Sequence, residues 1–365
     1  MSGQRGRRGA VFLLLAAVLL ASCGEGAPPD ALEPGDAPSA SPSPRAIAVP
    51  GELADGSVYV GQSVDGSAVA LVLLGTGGDR GSIWSFDPES VSFAELDAPL
   101  PPDRWIFEAQ AITNQRFSVI EVILCSAQPE EGDAGPDCTT GDVDRRLLVL
   151  DRQTGAWNEG RSPSSALANV DFVEKETVVL EATVNGGRAV WSVSLPSLAA
   201  ASTEPPPEGR CMSGPLRFHP GEPSHTTALR PDAVSGEWAE VALPEALPSL
   251  GPGLGDAVVR CHSSGSVLGV PADPGEGRPL RLYDLDRPGS DAVVVPGVES
   301  VNAVVASGTR VAVVADGGEL HLVDLASGEI TSPVDSDVQR VVRAGDGFLA
   351  LRHGSKGLSG AVLIP

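Results

Sequence analysis

The sequence predicts an all-β fold, a β-propeller of seven blades with four antiparallel strands each, its ring closed by an N-terminal strand. Three observations carry this expectation. An apolar strand, a polar turn near Asp and a second short strand recur at 83–96, 147–160, 190–203, 226–241, 280–295 and 320–334, with a partial copy at 360–365. The copies start 64, 43, 36, 54, 40 and 40 residues apart, near the 40–45 residues of a four-stranded propeller unit. Each copy follows a further strand–turn–strand, as in 57–74, 301–315 and 338–351, whose Asp-Gly, Ser-Gly and Gly-Asp-Gly turns supply the positive φ that tight hairpins need. No amphipathic helix exceeds two turns, and many strands are continuously apolar, as sheets covered on both faces require.

In chain order, the N-terminus comes first. Arg5, Arg7 and Arg8 precede an unbroken apolar run from Ala10 to Ala21. That run is too short to span a bilayer and has the length of a signal-peptide core. It ends in Leu20-Ala21-Ser22-Cys23, which resembles the bacterial lipobox in every position. The resemblance implies a signal peptide over 1–22 and lipidation of Cys23, which becomes the new N-terminus. The protein would then sit on the extracytoplasmic face of a bacterial cell membrane, held through the Cys23 lipid. More than one acyl chain makes such an anchor stable. Cleavage removes three arginines and no acid, so the formal charge moves from −23 to −26.

Residues 23–45 read as a tether. The segment 24–45 has six prolines, no aromatic residue and Leu32 as its one larger aliphatic. It cannot bury enough apolar surface to offset its ordering entropy. Extended as polyproline II it reaches roughly 70 Å at ~3.1 Å per residue.

The propeller occupies 46–365, about 46 residues per unit for seven units. Its seventh copy stops at Pro365 without a fourth strand. RAIAVP (45–50) lies free just before the first blade and is expected to complete the seventh, hiding an open edge. VLDRQTGAW and LVDLASGEI are similar to the repeats of quinoprotein-type and related seven- or eight-bladed propellers, which carry Asp-x-x-(Ser/Thr)-Gly between their outer strands. Asp151, Thr154 and Gly155 match, as do Asp324, Ser327 and Gly328; the other five copies lose one or more of these residues. The resemblance implies blade-building turns at these positions and no catalysis.

Composition narrows the function classes. Of 25 basic residues only Lys175 and Lys356 are lysines, which with the Ala/Gly/Pro/Val bias reflects GC-rich coding. A chain at −23 repels phosphate backbones, so no nucleic-acid partner is expected. Beyond Cys23, four cysteines remain, an even number that favours two disulfides in an exported chain. Cys125 and Cys138 bracket an overlong loop between the second and third strands of blade two. Cys211 and Cys261 follow the innermost strands of blades four and five, and pair if those blades bring their α-carbons within about 7 Å.

No catalytic constellation emerges, and no cofactor or metal is expected. Gly357-Leu358-Ser359-Gly360 lacks the spaced glycine of a nucleophile elbow. GPGLG (251–255) lacks the lysine of a phosphate loop. Asp284, Asp286 and Gly289 begin like a calcium loop, but Pro288 and Val295 stand at the fifth and twelfth positions. The five histidines, at 219, 225, 262, 321 and 353, share no ligand spacing.

What remains is the loops that depart from the repeat. Asp103, Arg104 and Trp105 precede blade two, and Glu130, Glu131 and Asp133 lie in its bracketed acidic loop. Both groups fall on the propeller face where ligands commonly dock, and they form the candidate ligand surface, with packing between blades the plainer role for Trp105. The expected function is a monomeric, non-catalytic platform for a protein or cell-envelope ligand. The competing class is an extracytoplasmic enzyme, a quinoprotein-like dehydrogenase or a glycan-acting hydrolase.

Overall fold

A computed structural model describes residues 43–75, 80–125, 138, 143–174, 176–185, 187–203, 209–218, 227–231, 238–244, 258–271, 279–298, 300–334 and 337–365. Cys23, Glu130, Glu131 and Asp133 lie outside the described residues. Residues 42–365 form one compact unit.

The chain enters through β1 (Arg45–Ile47) and a short helix, α1 (Gly51–Asp55). Blade one is β2 (Val58–Val60), β4 (Val69–Leu73), β5 (Ser82–Asp87) and β6 (Ser92–Leu96), with β3 (Gln62–Ser63) prolonging its inner strand. Blade two is β7 (Trp105–Thr113), β8 (Phe117–Cys125), β9 (Asp144–Asp151) and β10 (Ala156–Arg161). Blade three is β11 (Asn169–Glu174), β12 (Thr177–Val184), β13 (Gly187–Ser194) and β14 (Ala199–Thr203). Blade four is β15 (Gly209–Ser213), β16 (Arg217–Phe218), β17 (Thr227–Pro231) and β18 (Trp238–Ala242). Blade five is β19 (Val258–Ser264), β20 (Val267–Val270), β21 (Leu280–Asp284) and β22 (Val293–Val295). Blade six is β23 (Val301–Ser307), β24 (Arg310–Ala315), β25 (Leu320–Asp324) and β26 (Ile330–Val334). Blade seven takes β27 (Val338–Ala344), β28 (Gly347–His353) and β29 (Leu358–Ile364) from the C-terminus and β1 from the N-terminus.

The expected clasp is therefore present. β1 pairs antiparallel with β29, Arg45 opposite Leu363 and Ile47 opposite Ala361. It is shorter than the apolar stretch 45–50, because Pro50 has no backbone N–H to pair and instead caps α1.

Burial explains the continuous apolar runs. Every residue of β8 is buried, and each blade is covered by its neighbours. Apolar clusters fill six joints: blades seven and one around Leu71 and Leu349, one and two around Ile120, two and three around Val178, four and five around Phe218, five and six around Val311, and six and seven around Phe348. At the joint of blades three and four the described residues include a charged cluster. Glu181 accepts from Arg188 Nε at 3.0 Å and pairs with Arg217 at 3.4 Å, and the Arg217 guanidinium lies over the Trp238 ring.

Antiparallel blades give the ring two unlike ends. Turns from first to second and third to fourth strands fall at one end, the entry end, together with Ser43 and Pro365. Second-to-third turns and the crossings between blades fall at the other, the loop end. Inner strands run parallel where they meet, β3 with β7 and β15 with β19, so the latter pair fuses blades four and five into one eight-stranded sheet.

At the entry end hydrogen bonds or ion pairs join most neighbouring blades. Gly345 N donates to Gly66 O, Val64 N to Thr113 O, Leu216 N to Ser263 Oγ, Ala306 N to Ser264 Oγ and Ser307 Oγ to Asp346 O. Arg116 pairs with Glu176 across blades two and three. At Gly66, with φ of 82°, a Cβ would overlap Gly345 O, so the joint of blades seven and one admits no side chain there.

Candidate functional site

The loop end of blade two carries the described part of the expected ligand surface. Trp105 opens β7, the inner strand, and stands opposite Cys125, the last residue of β8. Cys125 is bonded to Cys138 with their α-carbons 5.8 Å apart, so the long loop is fastened beside Trp105. Two bonds fix this strand start to blade one: Ile106 N donates to Arg80 O at 3.0 Å, and Gly75 N to Ile106 O at 2.8 Å.

Asp103 is exposed, while Arg104 and Trp105 are partly covered. Trp105 Nε1 is enclosed and has no hydrogen-bond partner among the described residues. Deeper along β7, Glu108 is exposed and Gln110 Oε1 accepts from the Tyr59 hydroxyl of blade one.

Cys211 and Cys261 are bonded, α-carbons 4.7 Å apart. They lie within β15 and β19 rather than after them, which corrects the expected placement. The parallel pairing of these inner strands brings the two residues together.

The repeated aspartates at the entry end are turn residues. Asp151 accepts from Gln153 N and Thr154 N, Asp324 from Ala326 N and Ser327 N, Asp87 from Glu89 N, and Asp284 from Asp286 N. Gly155 and Gly328 supply the positive φ, 71° and 75°. Where the repeat lacks glycine, Val91 and Leu198 take the same left-handed conformation at 53° and 59°. The backbone N–H of Ser327, ahead of the other donors, holds the Asp324 carboxyl below its ordinary range. The start of a calcium loop at Asp284 is likewise spent, since Arg287 Nε donates to its second oxygen at 2.7 Å.

Sequence reasoning did not single out Glu121 and read His321 as a packed or edge strand residue; both have polar partners. Glu121, mid-β8 and fully buried, accepts from Ser162 Oγ and from Ala168 N at 2.7 Å, fastening the crossing from blade two to blade three. Burial pushes its carboxyl up, against the pull of its two donors and Arg145. His321 Nδ1 meets Ser332 Oγ at 3.2 Å, with Glu319 Oε2 3.8 Å from Nε2. That last distance exceeds a hydrogen bond, so among the described residues no carboxylate orients the imidazole as a nucleophile's base requires. Among the described residues no three His, Cys, Asp or Glu side chains gather as metal ligands. Burial first of all lowers His262 and His353 toward the neutral form.

No family model matches the sequence, and neither does any curated protein. Among solved structures the chain is similar to the β-propeller domain of the Trilobed protease from Pyrococcus furiosus, at 12% identity and a TM-score of 0.47 over 84% of this chain and 95% of that one. It is similar to Saccharomyces cerevisiae Sqt1 at 11% identity and a TM-score of 0.46, over 88% of this chain and 100% of that one. BamB from Moraxella catarrhalis follows at 12% identity and a TM-score of 0.36, over 84% and 86%. Likenesses this distant say nothing of ligand or activity; the architecture rests on the strand pairing described above.

Proposed function

We propose that the protein is a lipid-anchored lipoprotein of the extracytoplasmic membrane face, and that its propeller is a platform for a protein or cell-envelope ligand. The observation that carries this reading is the opposition of the two ends. The described chain enters at Ser43, beside Pro365, while Trp105 and the Cys125–Cys138 bond stand at the loop end. A ring bound across its joints by hydrogen bonds and apolar clusters presents that end as a rigid surface, which lowers the ordering cost of binding.

The test is a capture from intact envelope with the anchored protein, repeated with residues 126–137 deleted. Partners held by the full chain are expected to be lost on deletion. The same partners in the same amount would place the interface elsewhere. Metabolic labelling with a fatty-acid analogue tests the anchor: incorporation is expected in the native chain and not in Cys23→Ala.

A further inference from the structure

A groove of about 410 Å3 opens on the outer rim of blade seven, at the loop end. Its lining includes Ile47, Val49, Asp55, Lys356, Leu358 and Ser359. It exists because the clasp is shorter than the strand it covers. β29 runs seven residues, Leu358–Ile364, and β1 pairs with Ala361, Val362 and Leu363. The chain then turns away through Pro50 into α1. Ser359 and Gly360 therefore have β28 on one side and, among the described residues, no strand on the other, while Leu358 is buried in the cluster that holds Leu53. The slot continues the line of β1.

Its walls are already fixed. Leu53 of α1 is fully buried in the core shared by blades one and seven. The turn Gly354–Gly357 is closed by Gly354 N donating to Gly357 O at 2.7 Å. Gly357 is pressed so closely under α1 that a Cβ there would overlap Leu53 O and Gly56 O. No closure is needed to form the slot.

The chemistry of the lining points to one kind of occupant. Half-buried Ile47 and Val49 offer apolar contact, and the edge of β29 at Ser359 and Gly360 offers backbone groups. Lys356 is exposed and has no ion pair among the described residues, in a chain whose other lysine is Lys175 and whose formal charge is −23. We propose that the groove takes an extended peptide segment, added as a strand to β29 beyond the end of β1, with an acidic side chain set on Lys356. Backbone bonds to the edge supply affinity and the alternate side chains supply selectivity. The site lies two blades from Trp105 and stands or falls independently of that surface. A lysine beside a free edge also guards against self-pairing, and a purely protective Lys356 is the outcome that would overturn the proposal.

The probe is a fluorescein-labelled, capped hexapeptide, Val-Thr-Val-Glu-Val-Thr, titrated against the full chain by fluorescence anisotropy. Saturable binding at or below about 1 mM is expected. Lys356→Glu is expected to weaken it about two- to five-fold, the scale of an exposed ion pair. N-methylating alternate residues of the peptide is expected to weaken it about ten-fold or more by removing edge hydrogen bonds. Hydrogen exchange should show new protection at Ser359 and Gly360. Absence of saturation, binding indifferent to both changes, or protection confined elsewhere overturns the site. None of these results bears on the capture experiment with 126–137 deleted.

Discussion

Asp324 looks like a ligand in the sequence and behaves as a turn in the fold. Its Oδ1 accepts from the backbone N–H of Ala326 and Ser327, and those short-range bonds are what the Asp-x-x-Ser-Gly spacing encodes. Glu121 is the opposite case: one acid within an apolar run, whose partners lie 41 and 47 residues away. Its burial has a measurable consequence. Because the folded carboxyl titrates above its ordinary value, its contribution is fully present below that value and is lost as pH rises through the raised one. Glu121→Gln can donate to Ser162 Oγ and accept from Ala168 N, so urea melts should show it losing this decline with pH. Glu121→Ala leaves both donors unpaired and is expected to cost about 2–4 kcal/mol. Tyr283 offers a reverse test. Its side chain is 3% exposed and its hydroxyl has no partner among the described residues. Tyr283→Phe should be neutral or stabilising by about 1 kcal/mol in the same melts; a loss of that size would mean the hydroxyl is satisfied.

Among the elements, hairpins were the most legible and their neighbours the least. The strand–turn–strand units at 301–315 and 338–351 are the β23–β24 and β27–β28 hairpins, because Gly308 and Gly345 hold φ of 61° and 60° at their turns. α1 was not visible: five residues carry no helical period, and Leu53 is helical because it is packed between blades one and seven. The parallel contact of β15 with β19 was equally hidden, since parallel pairing across a blade boundary leaves no local pattern. The clasp was foreseen from a missing strand, and its energetic weight is now testable. Deleting Arg45–Ile47 removes three paired positions and half-buried Ile47. A loss of about 2–4 kcal/mol is expected, seen as a fall of several degrees in Tm by calorimetry. Light scattering should show self-association through the bared edge of β29. Unchanged Tm and mass would mean that blade seven is stable with three strands.

For the whole molecule, charge and topology act together. The chain's formal charge of −23 favours solubility and disfavours polyanionic partners. Against that background Lys356 stands out only once the chain is folded, because the sequence shows a lysine in a glycine-rich turn and not the slot it borders. The candidate site divides in the same way. Trp105 and the cysteine bracket were readable from loops that break the repeat; the enclosed Nε1 of Trp105 and the fixing of β7 to blade one were not. By itself the sequence determined the period, the strand pairs, the turns and the need for a closing strand. Each of these is written in neighbouring residues through side-chain alternation, β-propensity and φ preference. Only the tertiary structure decided which blade ends share a surface, where the clasp falls short, and which polar groups are buried. Those depend on residues far apart in the chain, and packing rather than local preference brings them together.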